Sequence, residues 1–460
     1  MTDIDDLLRK LDPTLNDRVK PLWFLGALSK DTKQEHFNRQ LVKLLADRHS
    51  KIDYKNEIRL PPPSKDKLSG EYHLGEVIYP DTRYATLGLR EEEFPRHILI
   101  CGMTGTGKTN LCFHLLQQLA LHNKTFWIFD WKGSYKKLRS LREFRNLQVI
   151  RVGDPESDFR FNPLIPPKGV YAKHWIALLV DVIKHAFFVA HGPEYYMRKG
   201  IDELYYRFKV YDGNNVYPTF TDLEKLLRKE YVKGREMLWM SSTKRVLAAL
   251  TISGLLGEVL DVRRQPEIEK LLDGQVVFEL DNLATLEKTF FVEALLLWLF
   301  HYRKNQGASA FKHAVIVEEA HHVLSRQKER LVGEEPIIES FVRMIREFGE
   351  SVIAIDQEPS KISKSIQANT GCKVCFGLGS GEDVLVMGRS MNLGVEATGW
   401  LDQLKVGRAI VKLMGRFWQP VHVKFPLIQI DGEKEERKIR KSEWNVEMGN
   451  RESKGQKPIS

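Results

Sequence analysis

Eight consecutive residues, Gly102-Met103-Thr104-Gly105-Thr106-Gly107-Lys108-Thr109, constrain this chain more than any other feature. They satisfy G-x-x-x-x-G-K-[ST], and their flanks fit it. The apolar run His97 to Cys101 stops at Gly102, and Lys108 to His122 carries Leu111, Leu115 and Leu119 at helical spacing. A second apolar run, Phe126 to Phe129, ends at Asp130. Strand, glycine loop, helix and strand in that order open an α/β fold with a parallel sheet. The glycines let backbone N–H groups turn inward around phosphates, and the helix N-terminus adds positive potential. Lys108 then reaches the β- and γ-phosphates and the Thr109 hydroxyl ligates Mg²⁺, so ATP and Mg²⁺ are the expected cofactors. The expected nucleotide-binding set is Gly102, Thr104, Gly105, Thr106, Gly107, Lys108, Thr109 and Asn110. Asp130 joins it because its strand end faces the same sheet edge; read alone, it is a strand-end turn.

Hydrolysis of a bound triphosphate also needs carboxylates at a strand end. Val315-Ile316-Val317-Glu318-Glu319-Ala320-His321 supplies two. The run is apolar enough to be a central strand, and its acids emerge where ligands bind in open α/β sheets. The two acids divide the work: Glu318 holds the Mg²⁺ shell and Glu319 polarises the attacking water. A further strand, Ser351 to Ile355, ends in Asp356-Gln357, and Gln357 is placed to sense the γ-phosphate. Arg343 and Arg346 lie just before it, and either could reach a neighbouring subunit's γ-phosphate in a ring. Cys372 and Cys375 form one C-x-x-C, half of what a zinc site needs, and read as packing. The His321–His322 pair also reads as structural.

Composition excludes several classes. Hydrophobic residues make up 42% and charged residues 28%, near the soluble globular average. Four cysteines in 460 residues cannot form a disulfide scaffold. No apolar run reaches the roughly 18 residues of a spanning helix. Asp3, Asp5 and Asp6 do not suit the start of a secretory signal, so a cytoplasmic location without a membrane segment is expected. The net charge of +9 favours an anionic partner.

The pattern divides the chain into a mixed leader (1–95), a first core part (96–157), a mostly helical insertion (158–274), a second core part (275–430) and a charged tail (431–460). The leader carries short amphipathic helices at 5–11 and 34–48, the helix-breaking Pro61, Pro62 and Pro63, and an extended stretch from Gly75 to Leu89. Sheet segments return at 275–280, 314–317, 351–355, 373–378, 407–412 and 421–425.

Taken together, these residues resemble the HerA branch of the HerA/FtsK superfamily of ring-forming P-loop ATPases. The resemblance runs from about Gly75 to Pro426. It rests on His97, Gly102 to Thr109, Asp130-x-Lys132-Gly133, Phe161-Asn162-Pro163-Leu164, Glu318–Glu319, Arg346-x-x-Gly349, Gln357-x-Pro359-Ser360 and Gly407 to Val411 in that order. It implies a RecA-like core, a homohexameric ring and ATP-driven movement along double-stranded DNA, with a partner nuclease or other effector, including one of a defence system. By position Glu318 and Glu319 match the family's Mg-site acid and catalytic glutamate, and Gln357 its polar sensor. Arg346 matches its arginine finger better than Arg343. Pore contacts to DNA phosphates would fall at Arg326, Lys328 and Arg330, or at Lys361 and Lys364. Two departures stand out. The family usually has Asp where this chain has Glu318, and its N-terminal β-barrel is not evident. Competing expectations are a nucleotide-gated ring scaffold for an effector, a conjugation or secretion coupling ATPase, and a protein-remodelling ATPase.

Overall fold

The computed structural model describes residues 58–251, 255–264 and 266–430. The helices expected at 5–11 and 34–48 and the tail from 431 lie outside the described residues.

The described chain opens with a hairpin, β1 (Tyr72–Ile78) and β2 (Arg83–Leu89). Then follow β3 (Ile98–Cys101), α1 (Lys108–Leu121), β4 (Thr125–Asp130) and the short β5 (Gln148–Arg151). Helices occupy most of the next stretch: α2 (Ala172–Ala186), α3 (His191–Arg207), α4 (Phe220–Arg228), α5 (Glu236–Thr251) and α6 (Leu256–Leu260). The sheet resumes with β6 (Gln275–Glu279), followed by α7 (Thr285–Gln306), β7 (Ser309–Glu318), α8 (Arg326–Val332) and α9 (Ile337–Met344). Then come β8 (Phe348–Asp356), α10 (Lys364–Asn369), β9 (Cys372–Cys375), α11 (Gly381–Ser390) and α12 (Val395–Gly399). The antiparallel pair β10 (Arg408–Leu413) and β11 (Val421–Lys424) completes the order.

Among the described residues, eleven strands form one sheet in the order β2-β1-β11-β10-β9-β3-β8-β7-β4-β6-β5. From β9 to β5 every pairing is parallel; β10, β11, β1 and β2 add an antiparallel flank. The fold is therefore α/β with a mainly parallel sheet. β3, β4 and the second half of β7 are apolar without alternation because helices cover both faces. α7 is apolar nearly all round and packs against α2, so it is an internal helix rather than a surface one.

The leader boundary at residue 95 is corrected. β1 pairs with β11, so the hairpin is the flank of the core sheet, and Leu60 onward forms one compact unit. β5 also went unread: it is a four-residue edge strand with polar ends. Cys372 and Cys375 sit three apart on a strand, which puts their side chains on opposite faces, and both are buried.

Candidate nucleotide-binding site

Strand register assembles the site. Cys101 pairs with Asp356, and Glu318 with Ile355, so β3, β8 and β7 end level with one another. β4 lies beside β7 and ends at Asp130. The glycine loop thus leaves the sheet at the edge where Glu318, Glu319, Asp356 and Gln357 emerge.

The loop is closely fitted. Gly102 has φ +154°, and a Cβ there would lie 2.6 Å from the Cβ of Phe376, so only glycine fits. Met103 donates its N–H to Gly377 O (2.8 Å) and Gly407 donates to Thr106 O (2.9 Å). Lys108 Nζ donates to Gly102 O (2.5 Å) and Met103 O (2.9 Å), folding the lysine over the loop. Burial lowers its pKa, with the Glu319 charge opposing.

A cavity of about 320 Å³ opens over the loop. Of the expected residues, Thr104, Gly105, Gly107, Lys108, Thr109, Asn110, Glu318, Glu319 and Gln357 line it, together with Lys132, Ser134 and Asp356. A larger cavity, about 580 Å³, lies along β5 away from all of them, so size alone does not pick out the chemistry.

Glu318 is buried at the end of β7. Its Oε1 accepts from Tyr135 Oη (3.1 Å), while its Oε2 has no hydrogen-bond partner. Burial raises its pKa to about 7; the nearby Asp130 charge adds to this, and Tyr135 and Lys132 oppose it. A buried carboxylate oxygen left open beside Thr109 and a phosphate loop suits a divalent cation or its water. The residues present therefore fit Mg²⁺ held by Thr109 and Glu318, with the triphosphate on the loop and Lys108.

Glu319 follows with φ +46°, a left-handed conformation that costs energy for a residue with a side chain. Its Oε1 pairs with Lys132 Nζ (2.6 Å) and accepts from Gln357 Nε2 (2.5 Å). Gln357 Oε1 in turn accepts from Thr104 Oγ1. Glu319, Gln357 and the loop thus form one connected set. Next to it, Asp356 accepts from the His321 N–H (2.7 Å), from His321 Nδ1 (3.0 Å) and from the Glu358 N–H (2.7 Å). Burial pushes the Asp356 pKa up, but these bonds outweigh it and the net shift is downward. Glu319, His321 and Asp356 are close enough to share a cation, yet the Asp356 oxygens are already taken by these donors.

Several expectations change. Asp130 is fully buried, and its carboxylate accepts from the N–H groups of Lys132, Gly133 and Tyr135. It shapes the turn after β4 and does not reach the cavity. Gly102 and Thr106 do not line the cavity either: the Gly102 carbonyl holds Lys108, and Thr106 Oγ1 donates to Met103 O. Asn110 lines it but uses its amide on Pro426 O and Ile428 N–H. Lys328 is corrected as a DNA contact. It is 1% exposed and ion-paired with the buried Glu293. Lys328 borders the same cavity as Arg326 and Arg330, but its ammonium is turned to Glu293 and is not offered to solvent. Arg326, Arg330 and Lys361 line this second cavity of about 620 Å³, next to His321 and His322, together with Lys328 and the acids Glu358, Glu382 and Asp383. Lys364 is exposed on α10 outside that cavity.

Arg343 is committed locally to Glu335, Ser340 and Ser365. Arg346 is exposed just before β8, and its side chain makes no hydrogen bond or ion pair among the described residues. It stands at the opposite end of the parallel strands from its own phosphate loop. Lys132 and Tyr135 were not singled out by sequence. The signal for Lys132 lay in the Asp130-x-Lys132-Gly133 turn, read there for its acid.

Residues 72–180 match the family model described as helicase HerA, central domain. The DNA double-strand break repair helicase HerA of Sulfolobus acidocaldarius is 24% identical over 438 residues, covering 87% of this chain and 80% of that protein. The protein of the same name from Saccharolobus solfataricus is 23% identical, covering 74% and 66%. Among solved structures, VirB4 of Thermoanaerobacter pseudethanolicus superposes with a TM-score of 0.61 at 17% identity, covering 79% of this chain and 98% of that one. The bacterial conjugative coupling protein TrwB, lacking its first 70 residues, gives 0.58 at 15% identity, covering 82% and 96%. The phosphate loop, the acidic end of β7 and the HerA matches make the chain a P-loop ATPase similar to the HerA helicases.

Proposed function

We propose that the protein is a cytoplasmic motor that hydrolyses ATP to move along double-stranded DNA as a homohexameric ring, serving a partner nuclease or other effector. One observation carries the reading: Lys108, Thr109, Glu318, Glu319 and Gln357 converge on one cavity, while Arg346 stands unpaired at the far sheet edge. Such a site is complete only when a second subunit brings its Arg346. Lys108 holds the phosphates, and Gln357 and Lys132 fix Glu319 Oε1, leaving Oε2 to take the proton of the attacking water. Bound Mg²⁺ would neutralise charge developing on the phosphates. Arg326, Arg330 and Lys361 contact DNA phosphates without reading sequence.

A conjugation coupling ATPase is the second reading, favoured by the fold shared with VirB4 and TrwB over about four fifths of the chain. No helix among the described residues is long and apolar enough to cross a membrane. Steady-state ATPase activity with and without linear double-stranded DNA, beside Lys108→Ala, tests the proposal. Stimulation that vanishes in the variant supports it. ATP binding with no response to DNA rejects the DNA motor in favour of a nucleotide-gated scaffold.

A further inference from the structure

The nucleotide cavity and the second cavity share a wall. Both are built from the segments that follow β7 and β8. Glu319, Asp356 and Gln357 face the first cavity; His321, Glu358 and Lys361 face the second. The two segments are stitched together by the Ser325–Ile362 bridge and by the Ser363 N–H to Leu324 O bond (3.0 Å). At the centre of the wall, the buried Asp356 carboxylate receives both the main-chain and the ring nitrogen of His321.

Two routes lead from His321 back to the catalytic glutamate. The short one crosses the left-handed backbone of Glu319, whose Oε2 lies 3.9 Å from His321 Nδ1. The longer one passes through ring contacts. His321 meets His322 at 4.1 Å, and His322 stacks on Trp131 at 5.5 Å and 9°. Trp131 immediately precedes Lys132, which holds Glu319. On the other side of the wall, Lys361 is ion-paired with Glu358 (2.7 Å), and the Glu358 N–H is bonded to Asp356.

We infer that His321 is a positioning residue through which a polyanion held by Arg326, Arg330 and Lys361 in the second cavity sets the placement of Glu319 and Gln357, so that DNA occupancy controls turnover. The inference rests on the reading of that cavity as a DNA-phosphate site. A phosphate that draws Lys361 from Glu358 disturbs the donors on Asp356, and His321 shares that carboxylate. The Lys361–Glu358 pair on one side and the His321–Asp356 bonds on the other are the contacts such coupling would use.

The test uses the full chain, linear double-stranded DNA and a fluorescent ATP analogue, with His321→Ala and His321→Asn. DNA and nucleotide affinities are measured alongside the ratio of DNA-stimulated to basal ATPase. In His321→Ala both ligands should still bind, and the ratio should fall toward unity. In His321→Asn the amide can replace the Nδ1–H donor to Asp356 and should recover most of the ratio. A ratio in the alanine variant equal to the parent's would overturn the inference. So would loss of nucleotide binding in that variant, which marks a structural role, or an asparagine variant no better than alanine. A parent chain that neither binds DNA nor responds to it sinks the DNA reading itself, and that outcome is visible before any variant is made.

Discussion

Tyr135 Oη donates to Glu318 Oε1 across 3.1 Å, joining the turn after β4 to the acid that ends β7. The glutamate side chain is one methylene longer than aspartate, which gives it this reach. One oxygen is held by the phenol and the other is left open to the cavity side. Tyr135→Phe should weaken Mn²⁺ binding in the presence of an ATP analogue about fivefold, the worth of one buried hydrogen bond of about 1 kcal/mol. Paramagnetic titration reads this without turnover. In a Glu318→Asp background the same change should have little further effect, because the shorter acid withdraws from the phenol. An equal loss in both backgrounds would remove Tyr135 from the metal site.

His97 gives the fold a specific acid sensitivity. Its Nδ1 accepts from the Val352 N–H (3.1 Å), so Nε2 carries the proton and donates to Val342 O (2.5 Å). Burial lowers its pKa from 6.5 to about 4, the Arg346 charge adding to this and the Val342 bond opposing it. The folded value lies below the unfolded one. Stability is therefore intact above pH 6.5 and is lost progressively as the pH falls toward 4, because the unfolded chain takes the proton first. His97→Gln should shrink the loss of unfolding free energy between pH 7 and 5 by about 2 kcal/mol. Denaturant melts at the two pH values decide it; parallel losses in parent and variant would refute it.

Arg346→Ala should leave the melting temperature and nucleotide affinity unchanged, yet lower the maximal rate about 10³-fold, as loss of an arginine finger does. Mixing it with Lys108→Ala should restore part of the activity, since some interfaces then pair an intact loop with an intact arginine. Absence of any recovery in co-assembled chains would count against a finger acting between subunits.

The basic residues of α8 should separate cleanly. Arg326→Ala with Arg330→Ala should leave the fold intact and reduce the salt slope of DNA binding by about 0.9 for each phosphate that the two arginines neutralise. Lys328→Glu should instead destabilise the chain by about 4 kcal/mol, because it sets a second acid against buried Glu293. A Lys328→Glu protein that melts like the parent would return that lysine to the surface.

What could be read in advance was whatever local backbone demands dictate. The glycines of the phosphate loop are spaced by the loop's own geometry, and Gly349 must be glycine because a Cβ there would meet Ala310 O at 2.2 Å. The buried parallel strands showed themselves as uninterrupted apolar runs. Lys132 and Tyr135 were not visible because their roles come from register: they matter only once β4 lies beside β7. The β1–β2 hairpin was hidden for a related reason, since its partner β11 lies more than 300 residues further along the chain. Lys328 looked like its neighbours because a charge in sequence carries no sign of burial until the helix face is assigned.

β8 carries Arg346 at its entrance and Asp356 with Gln357 at its exit. Between Phe348 and Asp356 the strand runs about 26 Å at 3.3 Å per residue, paired with β7 along most of its length and with β3 from Ile353 to Asp356. In a closed ring with Arg346 facing the next subunit, every copy of β8 would be a stiff rod with an end in each of two adjacent nucleotide sites. Neighbouring sites would then be mechanically linked, because a shift that seats one end of the rod moves the other. On that geometry, the length of β8 sets how far one site's Gln357 stands from the arginine offered to the next.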